Sequence, residues 1–371
     1  MNTHLSACRI LSLAAALWLC PDAHAQLYRT YLASDGSDAN PCTLTQPCRL
    51  LPAALNAVKD GGEVWMLDSA NYNVAKVVIA KSVTIMAVPG AVGSFVASGG
   101  PAIEVPERPN TPEQWGVTLR NLAIRPVDNS DKSSGIAMTR AAVALDNCSI
   151  AEMRRAAISA TGGSLRINSS TLWSGEAVVL ALDRTGAIIV SSEILGDAHF
   201  SGSRVAISNS VLEGRLLLDG ASAVISRTTI VGSISATNNP GGSAKVSMVQ
   251  STLSGQFSVA ALSGGPSLAV SVHQSQIIDP SPFGLFIETH GGGTVFVSVT
   301  DSLVANKSLA AIFARSDHGD PPSRVWVSGS TITDSEAAFM NVGFIFESAG
   351  NNALRGNAQD ISGIVTVVPL K

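Results

Sequence analysis

The sequence predicts an all-β chain folded as a right-handed parallel β-helix, a solenoid of three-stranded coils with an N-terminal capping helix. Three observations lead there: a strand motif that recurs about every 23 residues, a further apolar run ahead of each copy, and a composition rich in small and branched apolar residues.

The motif has apolar residues at offsets 0, 2 and 7, and often Asn, Ser or Asp at offset 4. It reads VTLRNLAI from Val117, VALDNCSI from Val143, LRINSSTL from Leu165, IIVSSEIL from Ile188 and VAISNSVL from Val205. Further copies start at Ala223, Val246, Val270, Val297 and Val325. Alternation at offsets 0 and 2 is the period of a strand with one buried face. The polar residue at offset 4 marks a sharp bend, because Asn and Asp tolerate the left-handed backbone. Offset 7 then re-enters the core.

The run ahead of each copy supplies the third strand. It is seen at Gly135–Thr139, Ala156–Ala160, Ala177–Leu182, Leu216–Leu218, Phe257–Leu262, Leu285–Glu288 and Ala311–Ala314. Leucine-rich repeats would need stricter Leu spacing and a helical segment in each unit. A propeller would need four strands and a longer period.

Composition agrees. Apolar residues make up 46 % and charged residues only 14 %, with aromatics at 5 %, so the hydrophobicity is carried by Ala, Val, Ile and Leu in many short strands. After the N-terminus no stretch reaches the ~20 apolar residues of a membrane span. The net charge of −4, without a Lys/Arg cluster, argues against nucleic acid as a partner.

Residues 1–25 read as a signal peptide, with Arg9 in the n-region, Ile10–Cys20 as the apolar core and Ala23-His24-Ala25 as the cleavage site. Leu17-Trp18-Leu19 lacks the small residues that would make Cys20 a lipidation site. The mature chain is then exported, to the periplasm or the medium, and begins at Gln26. In that setting Cys42 and Cys48 are placed to form a disulfide across a short loop containing Pro47; the alternative is two free thiols. Cys148 sits inside an apolar repeat and reads as a buried small hydrophobe.

Residues 26–371 are expected to form one domain: an N-terminal cap at 26–62, coils over about 63–349 and a C-terminal cap at 350–371. A helix is predicted at Cys48–Lys59, with Leu50, Leu51, Ala54, Leu55 and Val58 on one face and Gly61-Gly62 as its stop. Such a helix would shield the open end of the solenoid.

With the repeat established, the chain resembles the pectin-lyase-like β-helix superfamily. More narrowly it is similar to secreted bacterial β-helix proteins of unsettled function. YLASDGSDANPCTLTQPCRLLPAALNAV and GGEVWMLD near the N-terminus carry the narrower likeness, with GNNALRGN at Gly350–Asn357. The resemblance implies an outer groove on the first sheet as the place of action, and a glycan as the ligand class.

Hydrolysis of a uronan there needs paired acid and base carboxylates. β-Elimination needs an Arg or Lys base with Ca²⁺ or other positive charge. The Asn-Thr-Asp, Asp-Asp, Gly-His-Gly and Arg-x-Lys motifs of the galacturonan hydrolases do not occur in order, and Arg125-Pro126 is only a fragment of the lyases' Arg-x-Pro-x-x-Arg. First-sheet strands of Ala, Ser, Val and Leu argue against a carboxylate ladder.

One local exception stands out. Glu288 and His290 end one first-sheet strand; Arg315, Asp317, His318 and Asp320 end the next, 27 residues or one coil later. The functional reading makes His290 or His318 a general base, Arg315 a clamp on a substrate carboxylate, and Glu288 with Asp317 acids or cation ligands. The plainer reading is a solvated loop, since Gly291-Gly292-Gly293 and Pro321-Pro322 follow. His199 and His273 stand alone, and Asp183-Arg184 and Asp219 are read as turn residues. Trp173 and Trp326 suit either sugar stacking or packing. No Cys/His cluster points to zinc, and no metal or cofactor is expected, Ca²⁺ entering only with a lyase. The expected function is non-catalytic binding of a polysaccharide or cell-surface partner; the alternative is a polysaccharide lyase or glycoside hydrolase acting on a uronic-acid polymer.

Overall fold

The computed structural model describes residues 26–109, 115–127, 132–175, 178–238, 244–316 and 322–369. Every ladder in it is parallel, and each strand pairs with its counterpart one coil on. Sheet 2 is a 15-stranded ladder from Leu27–Leu32 to Thr366–Val367 that contains the offset-0 strands of the repeat. A second ladder of 24 strands has two faces. Sheet 3 holds the offset-7 strands, such as Ser149–Met153, and sheet 1 holds the strands ahead of each motif, such as Ser134–Thr139. The two faces join because Val211–Asp219 and Thr229–Thr237 each run unbroken from sheet 3 into sheet 1.

The offset-4 residues turn the corner between sheets 2 and 3. Asn121, Asn147, Ser169, Ser191, Asn209, Arg227, Gln250, Gln274, Asp301 and Gly329 all have φ between 47° and 61°. One left-handed residue per coil redirects the chain without a loop, and stacking repays part of its strain. Asn147 Nδ2 donates to Asn121 Oδ1 at 2.8 Å, and Gln250 Nε2 donates to Gln274 Oε1 at 3.2 Å.

The next residue is polar and buried. Ser170, Ser192, Ser251, Ser275 and Ser302 each accept a backbone N–H from the preceding coil, and each hydroxyl donates to the carbonyl two residues before it. This satisfies amides that the tight corner removes from the ladders. At the last corner Asn352 takes over, accepting from Ser330 N at 2.9 Å and donating to Val327 O at 2.9 Å.

The interior is a set of aliphatic columns. Val117, Val143, Leu165, Ala187, Val205, Ala223 and Val246 are register partners on sheet 2 and are all buried. Each large member contributes about 1.5–3 kcal/mol by leaving water. This corrects one repeat. The copy read from Ile188 is in register at Ala187, with Ala187 and Ile189 inside and Ile188 46 % exposed. Three consecutive apolar residues fit either register, and the partners Leu165 and Val205 decide it.

The N-terminal helix is shorter than predicted, Leu51–Ala57. Gly61-Gly62 does not stop it. Val58 turns extended (φ −78°, ψ 140°) and opens the strand Val58–Met66, because its branched side chain is fully buried there. Leu51, Ala54 and Leu55 pack into the core. Cys42 and Cys48 are joined in a disulfide, and Cys148 is buried, which pushes its thiol up to about 11. No helix among the described residues is long and apolar enough to cross a membrane.

Candidate functional site

Sheet 1 divides into two unlike halves. At its outward midline Ala137, Ser159, Ala181 and His199 follow one another in register and floor a shallow groove of about 440 Å³. Small side chains leave this stretch flat. Asp183 and Asp219, read as turn residues, end sheet-1 strands two coils apart. Asp183 pairs with Arg184 at 3.0 Å, and Asp219 accepts from Thr237 Oγ1 at 3.1 Å.

Farther along the same midline come Ser258, Phe286, Phe313 and Met340. Phe286 and Phe313 are register partners with centroids 5.6 Å apart. Phe283 joins them, 5.0 Å from Phe286 and 5.2 Å from Phe313 with planes 25° apart. In a regular strand residues 283 and 286 would point to opposite faces. Two successive buried residues, Gly284 and Leu285, shift the alternation and bring both rings to one side. Only glycine fits at 284, where a Cβ would collide with the Val304 side chain and the Ala311 carbonyl.

Beside the rings lies the predicted rim. Glu288 and Arg315 are register partners, and Arg315 Nη2 donates to Glu288 Oε2 at 3.2 Å. His290 Nε2 is 3.2 Å from the same oxygen. The Glu288 side chain is 20 % exposed, His290 36 % and Arg315 46 %. The structure therefore brings Glu288, His290 and Arg315 together; Asp317, His318 and Asp320 lie outside the described residues. Thr289 and Ser316 extend the contact below the rim, with Thr289 Oγ1 donating to Ser316 Oγ at 3.0 Å.

Sequence reasoning missed two features here. The 27-residue step that aligns Glu288 with Arg315 also aligns Phe286 with Phe313, but Phe in an apolar run reads as core. Lys307 was missed as well. It begins the strand Lys307–Ser316 and is 2 % exposed, with Nζ donating to the carbonyls of Gly255, Ile278 and Asp279 and to Ser281 Oγ at 2.7–3.2 Å. Burial pushes its ammonium down to about 8, Asp279 opposing.

The remaining candidates fall elsewhere. His273 Nδ1 is 2.9 Å from Thr300 Oγ1, on sheet 2. Trp326 lies with Phe296 in a groove of about 300 Å³ on sheet 2, and Trp173 is 41 % exposed on sheet 3.

At the level of sequence, no family model and no curated protein matches the chain. Solved structures do. The family 28 exopolygalacturonase of Yersinia enterocolitica is 9 % identical over 91 % of this chain and 79 % of its own, with a TM-score of 0.50. The GH136 lacto-N-biosidase from Eubacterium ramulus is 11 % identical over 92 % of this chain and 68 % of its own, with a TM-score of 0.40. The Agl-KA catalytic domain is 12 % identical over 85 % and 65 %, with a TM-score of 0.44. With its parallel ladders, this likeness to the exopolygalacturonase shows the fold, a parallel β-helix. At such identities it says nothing about residues or reaction.

Proposed function

We propose that the protein is an exported, non-catalytic glycan-binding β-helix whose ligand lies across Phe283, Phe286 and Phe313, beside Glu288 and Arg315. The observation that carries this reading is the ring cluster on the outside of sheet 1, next to a charged pair. Aromatic faces stack on the C–H face of a pyranose, while the carboxylate and guanidinium serve its hydroxyls. Glu288 Oε2 already faces both Arg315 and His290, which suits positioning better than proton transfer. The leader at 1–25 and the Cys42–Cys48 disulfide support export. In the same reading the helix Leu51–Ala57 caps the N-terminal end of the stack, and residues 350–371 cap the other end.

The test is a panel of immobilised uronic-acid and neutral polysaccharides, with and without Ca²⁺, exposed to the purified mature protein. The expected result is retention on at least one glycan, no new reducing ends or unsaturated products, and about tenfold weaker retention for Phe286→Ala or Phe313→Ala. Cleavage that disappears in His290→Ala or Arg315→Ala would replace this reading with the lyase or hydrolase alternative.

A further inference from the structure

Sheet 2 has an open outer face of its own. A trough of about 1070 Å³ runs over its outer surface from the strand Gly116–Arg120 to the strand Leu268–His273. Its position follows from the lengths of the connections between sheets 1 and 2. Five successive connections, at 140–141, 162–163, 184–185, 202–203 and 220–221, are two-residue corners. The connections before and after them, 106–115 and 238–244, are longer. This edge of the solenoid is thus trimmed over five coils.

The floor is apolar and shallow, formed by Ala144, Ala206, Ile188 and Val224, the last two 46 % and 54 % exposed. The charged residues lining the trough are Arg166, Arg204 and Lys245, all exposed; among the described residues none of them is ion-paired, and no Asp or Glu lines the trough. The three cations stand on every second strand, with one strand between Arg166 and Arg204 and one between Arg204 and Lys245. Arg204 and Lys245 share one register column and Arg166 lies two residues farther along its strand; with adjacent strands about 4.8 Å apart, the charges recur about every 10 Å along the solenoid axis.

These features define the ligand. Unopposed positive charge over several coils selects an anion, and its spacing selects an extended repeating one. An acyl chain is disfavoured because methyls and short branched side chains in an open floor leave one side of it in water. A pyranose chain brings flat C–H faces for the floor and ionised groups at its edge. A 1,4-linked unit also advances its chain by roughly one strand spacing, about 5 Å, so a group on alternate units meets a cation on alternate strands. We propose that this trough binds an extended anionic glycan, whose carboxylate or sulfate groups meet Arg166, Arg204 and Lys245. The proposal rests on the reading of the protein as a glycan binder; it adds a second face and the charge of the ligand.

The experiment titrates the mature protein with oligogalacturonate, dextran sulfate and neutral dextran at low and high salt. It compares wild type, the triple variant Arg166→Ser/Arg204→Ser/Lys245→Ser, Ile188→Glu and Phe286→Ala. All the trough substitutions are at exposed positions, and unchanged melting temperatures would show that the fold is kept. Oligogalacturonate or dextran sulfate should bind wild type and neutral dextran should not bind at this face; which anion binds separates carboxylate from sulfate. Affinity for the anionic glycan should fall about tenfold or more at high salt, in the triple variant and in Ile188→Glu. The proposal fails if neither anionic glycan binds, or if the triple variant and Ile188→Glu bind as wild type does. Anionic binding lost only in Phe286→Ala would move the ligand to sheet 1. Retention of a neutral glycan through Phe286, without anionic binding, would sink the trough and leave the sheet-1 reading standing.

Discussion

The serine column at the sheet 2–sheet 3 corner and the Glu288 cluster on sheet 1 are both rows of polar side chains, and they are built in opposite ways. Ser170, Ser192, Ser251, Ser275 and Ser302 recur coil after coil, are buried, and have both donor and acceptor committed to the backbone. Glu288, His290 and Arg315 occur once, on two coils, and remain partly open to solvent. A polar residue that a solenoid repeats serves the repeat. One that appears on a single pair of coils is free to serve a ligand. Lys307 tests the rule from between, being solitary yet buried.

The largest effect is expected at Lys307. Replacing it by Met takes the ammonium from the carbonyls of Gly255, Ile278 and Asp279, of which Ile278 keeps the Gly255 N–H, and should lower stability by about 3 kcal/mol, read as a shift in the urea midpoint. The pH dependence has a definite sign. The folded-state value near 8 lies below the ordinary 10.5, so between these values the unfolded chain holds a proton that the folded one has released. Wild-type stability relative to Lys307→Met should therefore rise from pH 8 to 10.5 and be flat below 8. A difference that stays flat across that window and falls only above 10.5 would mean that the four oxygens, not burial, set the ammonium's titration.

Ser251→Ala comes next. It orphans the buried Thr228 N–H, leaves the Val249 carbonyl with the Arg227 N–H alone, and should cost about 1.5 kcal/mol in the same measurement. The smallest effect is at Glu288. Glu288→Gln removes a partly exposed ion pair and should change stability by less than about 0.5 kcal/mol while weakening glycan retention. A stability loss as large as that of Ser251→Ala, with retention intact, would break the comparison and make the rim architectural.

Much of the candidate site was legible before the fold was known. The one-coil step from Glu288 to Arg315 is a count along the chain, and it becomes a register pair because parallel strands stack like on like. The rings were not legible. Phe283 reaches the side of Phe286 only because Gly284 lets two coils approach closely, and Phe in an apolar run carries no sign of facing out. The cations of the trough were equally hidden: Arg166, Arg204 and Lys245 are 38 and 41 residues apart, and only the unequal coil lengths place them on alternate strands of one face.

By itself the sequence determined the architecture: the period, the alternation that points one side of each strand inward, and the left-handed corner at offset 4. These are local properties of φ, ψ and polarity, and repetition amplifies them into an unambiguous signal. Tertiary structure alone decided the rest. It chose Ala187 over Ile188 for the core, because a run of apolar residues has no preferred face until its neighbours pack against it. It ended the helix at Ala57 and gave Val58 to a strand, and it merged sheets 1 and 3 where two strands run straight through. Above all it decided which side chains share an outer surface, since that depends on the length of every coil between them, and no single coil encodes it.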